Sequence, residues 1–379
     1  MISEIQKTQI EKFVMENKEE TLILLKEITA IPAPTFHEEK KAELVLRWLK
    51  AEGTDEAYMD EEGNVIYEYG KQEEVVIFMA HLDVVFPDTE PFQIIEEGKK
   101  WSAPGILDDN ANLVNMLMCV KFLLVHRPCI PVGLVFVANT CEEGLGNLRG
   151  SKAIYRKYGE RIREFVGFDA NRNHIVEKAV GSQRYRVIVK TEGGHSYTAF
   201  GNANAIYELS RIIQSLYQVQ LPDKARTTYN VGMIEGGTSV NTIAGEASML
   251  YEFRSEDEAC LTYMENYFTD VIERYKKEGL DVRTEILGVR PCAKGVDAVR
   301  QQELTERHQQ IIHIFSDEKI ERRTGSTDAN TFLSHGIPSN VIGTASGGRT
   351  HTRDEWIWAD SLEVGQKIAI GSVLAAIRE

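Results

Sequence analysis

Three short apolar runs, each followed within four residues by an acidic residue or a histidine, constrain the fold of this chain more than any other feature. The runs cover residues 75–80, 132–138 and 165–168, and helical patterns lie between them, at about 110–125 and 152–163. Short apolar runs that alternate with helices are typical of a mostly parallel sheet with helices on both faces. The sequence therefore predicts an α/β domain.

A different pattern interrupts this domain from about Ser182 to Leu287. Strand and helix patterns follow one another there in the order β-α-β-β-α-β, which predicts a compact split βαβ module with one open sheet face. The α/β pattern returns after Pro291. We therefore expect a catalytic domain formed by residues 1–181 and 290–379 and interrupted by an inserted α+β lid, residues 182–289.

Composition and charge exclude several classes of partner and favour a cytoplasmic protein. The 43 basic and 58 acidic residues give a formal charge of −15, which argues against binding to nucleic acid or to an anionic membrane. The first 20 residues contain no long apolar stretch and no small-residue cleavage site, so we expect no secretion signal, and we expect no segment to span a bilayer. Five scattered cysteines without a CxxC pair fit a reducing compartment.

Residues that suit metal chemistry follow the apolar runs. In open α/β sheets the active crevice lies beyond the carboxyl ends of the strands, so residues just after each run are the first candidates. An acidic pair before the next helix and a histidine in a Gly-rich loop add to them. The whole set is His81, Asp83, Asp108, Asp109, Glu142, Glu143, Asp169 and His351.

Two divalent metal ions would stabilise this concentration of acids, because clustered carboxylates repel one another unless cations lie between them. The proposed ligands are His81, Asp108, Glu143, Asp169 and His351, a mixture of imidazole and carboxylate that suits zinc, with cobalt or manganese as alternatives. Three carboxylates, two divalent ions and one bridging hydroxide sum to neutrality. Paired ions can activate a shared water and polarise a carbonyl group.

Two further acids are expected to assist. Glu142 is adjacent to ligand Glu143 and is predicted to act as general base toward the bridging water. Asp83 is expected to accept the second ring N–H of His81 and fix its tautomer. Each pattern alone is common in structural roles, so their coincidence at three strand ends carries the prediction. The remaining histidines outside the lid are taken as structural: His37, His126, His174, His308, His313 and His335.

These motifs resemble those of the M20 metallopeptidases, a family that includes peptidase T, glutamate carboxypeptidase and aminoacylase-type enzymes. The resemblance spans nearly the whole chain, with its motifs in the expected order. The segments that carry it are residues 81–83, 105–109, 141–144, 168–169, 194–196 and 351–355. One departure is Asn110-Ala111 after the acidic pair, where relatives often carry Lys and Gly.

The resemblance implies a division of roles at the metal site. Asp108 would bridge the two ions, with His81 and Asp169 completing one site and Glu143 and His351 the other. Glu142 would take the position of the general base and Asp83 the supporting position. A cis peptide bond is expected between Asp108 and Asp109.

The resemblance also implies that the lid takes part in catalysis and in homodimer formation. His195 would reach the active site of the neighbouring subunit and stabilise the oxyanion. Arg254 would bind the substrate carboxylate, and Asn241 would contact the substrate. The alternatives are a surface ion pair for Arg254 and a turn role for Asn241. The loop 325–328 is expected to line the substrate pocket.

Three functions follow from these residues. The first is a dinuclear metal-dependent exopeptidase that hydrolyses short peptides. The second is an N-acyl-amino-acid deacylase, which would use the same metal site with a different substrate pocket. The third is a non-catalytic binding relative, which would lack a ligand or the base, whereas this chain has all five ligand positions and Glu142.

Overall fold

The computed structural model describes residues 2–377, which form two compact units. The first unit contains the residues up to Ala179 and those from Gly295 onward, and the second contains Val180–Lys294. The predicted insert, 182–289, lies inside the second unit.

The helices and strands are numbered in chain order. Before the second unit they are α1 (Glu4–Glu16), α2 (Lys18–Ala30), α3 (Glu39–Ala51), β1 (Tyr58–Met59), β2 (Val65–Tyr69), β3 (Val75–His81), β4 (Ile95–Glu97), β5 (Lys100–Ser102), α4 (Asn112–His126), β6 (Gly133–Asn139), α5 (Arg149–Tyr158), β7 (Ile162–Phe168) and β8 (His174–Ala179). The second unit contains β9 (Gly181–Lys190), β10 (Gly194–His195), α6 (Ala205–Leu216), β11 (Thr227–Gly236), β12 (Thr242–Ile243), β13 (Glu246–Ser255), α7 (Glu258–Lys277) and β14 (Asp281–Arg290). After it come α8 (Ala298–Phe315), β15 (Glu321–Gly325), α9 (Ala329–Leu333), β16 (Ser339–Ile342), β17 (Gly347–Gly348), β18 (Trp356–Trp358) and α10 (Ser361–Ala376).

The first unit is built on an eight-stranded sheet in the order β1-β2-β6-β3-β7-β16-β8-β15. Its central strands β6, β3, β7 and β16 pair in parallel, whereas β1, β2 and the β8–β16 pair are antiparallel. The register places His81 beside Asn139, so β3 and β6 end at the same edge. The predicted mostly parallel α/β sheet is confirmed.

Helices cover both faces of this sheet, which explains why its central strands are continuous apolar runs. Along β3, Val76 and Phe78 belong to one core, which includes residues of α1 to α4, α8 and α10. Val75 and Ile77 belong to the other core, with residues of α5 and α9. A strand buried on both faces needs apolar residues at every position. Among residues 2–377, no helix combines the length and apolarity that crossing a bilayer requires.

Some elements differ from the sequence prediction. Helix α5 ends at Tyr158, before the predicted limit near residue 163, because Gly159 adopts a positive φ of 50° that ends the helix. The chain then enters β7 at Ile162. Strands β1, β2, β4, β5, β8, β15, β17 and β18 were not predicted, because they are short or mix polar with apolar residues and so lack a long continuous apolar run.

The second unit has the predicted β-α-β-β-α-β order, with a short ribbon, β10–β12, added. Its antiparallel sheet has the strand order β11-β13-β9-β14, so β11 and β14 are edge strands. Buried and partly exposed residues alternate along β13. The buried face of the sheet packs against α6 and α7 in a core of its own, which includes Tyr251, Phe253 and Phe268.

Candidate metal and active site

The carboxyl ends of β3, β6 and β7 bring the candidate ligands of the first unit to one edge of the sheet, which we call the rim. The loop between β5 and α4 adds Asp108 and Asp109, which are joined by the expected cis peptide bond. The loop between β17 and β18 adds His351. The side chains gathered at the rim are His81, Asp83, Asp108, Asp109, Glu142, Glu143, Asp169 and His351.

Asp108 lies at the centre of the rim. Its Oδ1 is 3.0 Å from Nε2 of His81, and its Oδ2 is 3.1 Å from Nε2 of His351. His351 Nε2 is also 2.9 Å from Oε1 of Glu143. The candidate ligands therefore form two groups that share Asp108, one with His81 and Asp169 and the other with Glu143 and His351.

The spacing and chemistry of these groups fit divalent metal ions. In each group the candidate ligand atoms lie within 4.8 Å of one another. Two ligand atoms that each stand ~2 Å from one ion are at most ~4 Å apart, so small side-chain movements suffice to form a coordination shell. Imidazole nitrogen and carboxylate oxygen together are a donor set that zinc accepts.

Negative charge is in excess at the rim. Burial, reinforced by the charge of Asp108, raises the pKa of Asp169 to about 7. Hydrogen bonding, first with Asp108, raises the pKa of His351 to about 11. Burial disfavours the charge of Asp108, but hydrogen bonds from His351 and His81 outweigh it and hold the pKa of this carboxyl below its usual range. The repulsion between the carboxylates of Asp108 and Asp169 would be relieved by bound cations.

The carboxylate of Asp83 holds the backbone of the neighbouring loop. Its Oδ1 accepts a hydrogen bond from the Glu142 N–H at 3.0 Å, and its Oδ2 accepts bonds from the Glu143 N–H and the Thr35 hydroxyl at 2.9 Å each. The nearest partner of His81 Nδ1 is instead the backbone carbonyl of Asp83 at 3.0 Å, while the carboxylate is 3.5 Å away. Donation to that carbonyl leaves Nε2 of His81 available to bind a metal ion. The predicted acceptor, the Asp83 side chain, is thus the more distant of the two.

Two buried residues that the sequence analysis missed support the same loops. Glu38 accepts a hydrogen bond from the Cys141 N–H at 3.0 Å. The Nζ of Lys41 donates to the Leu82 carbonyl and to Oδ1 of Asn110, each at 2.9 Å. Lys41 is fully buried, and burial lowers its pKa to about 8. Glu38 thus lies under the loop that contains Glu142, and Lys41 lies between the loops of His81 and Asp108.

A third missed residue is Glu355, which is buried against the loop that contains Asp108. The sequence contained features that could have pointed to Lys41 and Glu355. Lys41 occupies the buried face of α3, four residues before Val45, so it interrupts an apolar stripe. Glu355 lies in the motif that begins at His351 but was assigned no role of its own.

In the second unit, His195 and Asn241 lie close together on exposed backbone. The ribbon pairs His195 with Thr242, and the Asn241 carbonyl accepts a hydrogen bond from the Ser196 N–H at 3.0 Å. The Nδ1 of His195 accepts a bond from the Tyr197 N–H at 3.2 Å. A neutral imidazole with this acceptor carries its proton on Nε2, which is then available as a donor.

Arg254 lies far from this ribbon. The ribbon adjoins the end of β13 where Glu246 lies, and Arg254 is eight residues further along, or ~26 Å at ~3.3 Å per residue. Its Nε and Nη2 contact the carboxylate of Glu252 at 3.0 and 3.1 Å, and Nε of Arg184 contacts the same carboxylate at 3.3 Å. The ion pair considered as an alternative is thus formed, and it places two guanidinium groups on one carboxylate.

The loop 325–328 makes a contact beneath the rim. Asp328 is buried and accepts a hydrogen bond from Nδ2 of Asn139, the last residue of β6, at 2.6 Å. Burial raises the pKa of Asp328. The aspartate of this loop therefore faces the protein interior, and the role of the loop in lining a substrate pocket stays a prediction.

The carboxylates and imidazoles at the end of the mostly parallel sheet thus form a candidate site for divalent metal ions. The model of peptidase family M20/M25/M40 matches residues 77–374, and the chain belongs to that family. It is a hydrolase of peptide or amide bonds, and the family is metal-dependent.

Individual relatives are distant in sequence. The uncharacterized protein YqjE of Bacillus subtilis is 26% identical over 365 aligned residues, covering 90% of this chain and 94% of YqjE. The structure of aminopeptidase PepT from Bacillus cereus is similar with a TM-score of 0.72 at 21% identity, covering 96% of this chain and 99% of PepT. The YxeP protein of Bacillus subtilis, a dinuclear metal-binding M20 peptidase, gives a TM-score of 0.65 at 14% identity, covering 96% and 100%.

Proposed function

We propose that this protein is a dinuclear metal-dependent exopeptidase that acts on short peptides. The observation that carries the proposal is the position of Asp108, whose two carboxylate oxygens face two different imidazoles, His81 and His351. A carboxylate so placed can serve two ions at once, and Asp169 and Glu143 complete the two groups. Zinc is the expected metal because histidine and carboxylate ligands suit it, with cobalt or manganese as alternatives.

Glu142 is the proposed general base and then general acid. Divalent ions bound at the rim would polarise the scissile carbonyl and acidify the attacking water. The carboxylate of Glu142 would take the proton from that water and deliver it to the nitrogen of the leaving amine. Glu142 is 6% exposed and groups with His81 and Glu143, so this proton transfer would take place in a largely buried setting.

Asp83 would orient this base. Because its two oxygens accept the N–H groups of Glu142 and Glu143, it fixes the backbone from which both side chains project. One carboxylate thereby keeps the base and a metal ligand in register with each other. Such supporting hydrogen bonds are typical of metal sites.

The residues of the second unit would serve substrate binding across a homodimer. His195 would donate its Nε2–H to the oxyanion, Asn241 would contact the substrate, and Arg254 would bind the substrate carboxylate in place of Glu252. His195 and Asn241 are neighbours, whereas Arg254 is ~26 Å further along the sheet. This separation supports an active site that takes Arg254 from one subunit and the other two residues from its partner.

An exposed sheet edge supports the dimer through the second unit. Strand β11 ends its sheet, and Met233 and Ile234 on it are exposed. An edge strand presents N–H and carbonyl groups that can pair with another chain. We propose that this edge takes part in the dimer.

The proposed location is the cytoplasm and the proposed substrate a short peptide. Among residues 2–377 all five cysteines are free, and four of them are buried, which suits a reducing compartment. The N-acyl-amino-acid deacylase is the alternative function, since the rim would serve either substrate.

Metal analysis and a substrate panel test the proposal. The purified protein, loaded with Zn²⁺ and then desalted, is expected to retain two ions per chain. It should hydrolyse di- or tripeptides faster than N-acetyl amino acids. A chain that binds fewer than two ions would overturn the dinuclear site. Faster turnover of N-acyl amino acids would replace the peptidase with the deacylase.

A further inference from the structure

We propose that Glu355 is a positioning residue that sets the orientation of Asp108 and thereby the affinity for both metal ions. The inference rests on the proposed dinuclear site and adds a residue to it. Glu355 is 1% exposed and lies four residues after His351 in the sequence, although its side chain reaches the loop that contains Asp108.

Three backbone N–H groups of that loop converge on the Glu355 carboxylate. Its Oε1 accepts hydrogen bonds from Leu107 at 2.7 Å and from Asp108 at 2.8 Å, and its Oε2 accepts one from Gly105 at 3.2 Å. A carboxylate is the side chain that can accept several N–H bonds at once, and charged acceptors form stronger bonds than neutral ones. Glu355 therefore fixes the backbone immediately before and at the shared ligand.

The same residue joins the two loops that supply Asp108 and His351. The backbone carbonyl of Glu355 accepts a hydrogen bond from the Ala103 N–H at 3.1 Å, and the next residue, Trp356, pairs with Ser102 between β18 and β5. Side chain and backbone of Glu355 thus both bind the segment that leads to Asp108. This attachment joins the two loops whose side chains approach each other at 3.1 Å, His351 Nε2 to Asp108 Oδ2.

The electrostatic setting argues against a role in stability alone. Burying another carboxylate beside Asp108 is unfavourable, because like charges repel and both have lost water. Three N–H bonds offset that cost, and a residue without acceptors would leave these N–H groups unpaired. The geometry assigns Glu355 a function at Asp108, since both oxygens of that shared ligand must keep their directions.

The test compares metal affinity in Glu355→Gln and Glu355→Ala with a matched control. Glutamine keeps the size of the side chain and one acceptor oxygen, so the bonds from the Leu107 and Asp108 N–H groups can persist. Its NH₂ group would then face the Gly105 N–H, and two donors cannot form a hydrogen bond. The control is Glu164→Gln, which alters another buried acid, paired with Arg307 and five residues before Asp169 along β7, or ~16 Å from the rim. Zn²⁺ dissociation constants are measured by chelator competition, and the visible spectrum of the Co²⁺-loaded proteins reports ligand geometry.

We expect Glu355→Gln to raise the dissociation constants of both ions by about tenfold, and Glu355→Ala to raise them by up to about 100-fold. Both variants should have an altered Co²⁺ spectrum. Glu164→Gln should leave affinity and spectrum as in the wild type even where its thermal midpoint falls. Glu143→Gln, which removes a ligand of one group, should weaken one ion much more than the other. If Glu355→Ala does not fold, the glutamine variant decides alone.

Two results would overturn the inference. One is a Glu355→Gln protein whose dissociation constants for both ions stay within about twofold of the wild type, since supporting contacts usually contribute at least tenfold. The other is a loss of thermal stability with an unchanged Co²⁺ spectrum, which would make Glu355 a structural residue only. Failure of the wild type to bind two ions would instead refute the proposed function, so the two failures are distinguishable.

Discussion

The rim of the first unit and the proposed substrate residues of the second unit are built in opposite ways. At the rim, buried side chains hold one another's backbone: Asp83 holds Glu142, and Glu355 holds Asp108. In the second unit His195 and Asn241 are exposed, and their hydrogen bonds are to residues within a few positions along the chain or ribbon.

This difference indicates which groups of proposed site residues come together within one chain and which would require a second subunit. The rim brings two groups of candidate ligands together within one unit. Inside each group the candidate ligand atoms lie within 4.8 Å of one another. The second unit instead separates Arg254 from His195 and Asn241 by most of a strand. A preorganised rim suits chemistry that requires fixed charges, whereas exposed residues suit a role completed by a substrate or a second subunit.

The largest effect is expected for Glu142→Gln. Loss of the general base should lower kcat by about 10³-fold while two ions still bind, because the five proposed ligands are retained. Steady-state kinetics and metal content measure the two effects separately. Glu74→Gln, an exposed acid just before β3, is the control and should behave as the wild type. Near-normal turnover of Glu142→Gln would remove the base from the mechanism.

Complementation between variants tests the second half of the comparison. His195→Ala and Arg254→Ala should each lose about 10²-fold in kcat. After mixing and subunit exchange, about a quarter of the sites should regain activity, because half of the dimers are mixed and one of their two sites is intact.

The matched control for complementation is the mixture of His195→Ala with Asn241→Ala. Both residues lie on the same ribbon and would reach the same neighbouring site, so no mixed site contains both and no recovery is expected. Recovery in the control, or none with Arg254→Ala, would contradict sharing of active sites between subunits.

A smaller effect is expected for Asp83→Asn. The amide keeps one acceptor, but its NH₂ opposes the N–H of either Glu142 or Glu143, so kcat should fall by about 10- to 100-fold. Thr35→Val removes only a hydroxyl donor to Asp83 and should cost less than about fivefold. Equal losses in the two variants, measured by kcat, would argue against Asp83 as the support of the base.

The smallest effect concerns stability and a buried residue of the first unit away from the rim. His308 is buried, and burial together with Arg307 lowers its pKa to about 3. Its folded pKa lies below the unfolded value near 6.5, so its contribution is complete above pH 6.5 and is lost as the pH falls toward 3. From pH 7.5 to 5.5 the free energy of unfolding should fall by about 1 kcal/mol from this group.

Urea unfolding of the wild type and of His308→Gln at both pH values checks this expectation. The glutamine variant does not titrate at this position, so its stability should decrease less between pH 7.5 and 5.5. An identical pH dependence in the two proteins would mean that His308 is not held neutral by its surroundings, which include the Asn340 amide 3.1 Å from its Nδ1.

Sequence reasoning could predict the rim because three of the five proposed ligands, His81, Glu143 and Asp169, come at or shortly after the ends of apolar runs. A short apolar run predicts a buried strand, and parallel strands end at the same edge of a sheet. The residues at the ends of β3, β6 and β7 were therefore expected to lie near one another. The β-α-β-β-α-β order of the second unit could likewise be predicted from short sequence patterns. The edge strands β1 and β15 escaped prediction because their partial exposure removes the continuous apolar pattern.

The amino-acid sequence by itself determined which residue types arrive at the rim and in which order. Only the tertiary structure decided that the Asp83 carboxylate accepts the N–H of Glu142, and that the Glu355 carboxylate accepts the N–H of Asp108. These partners are 59 and 247 residues apart in the chain. The physical reason is that periodicity reports burial over a few residues, whereas the direction of a hydrogen bond depends on how distant segments pack.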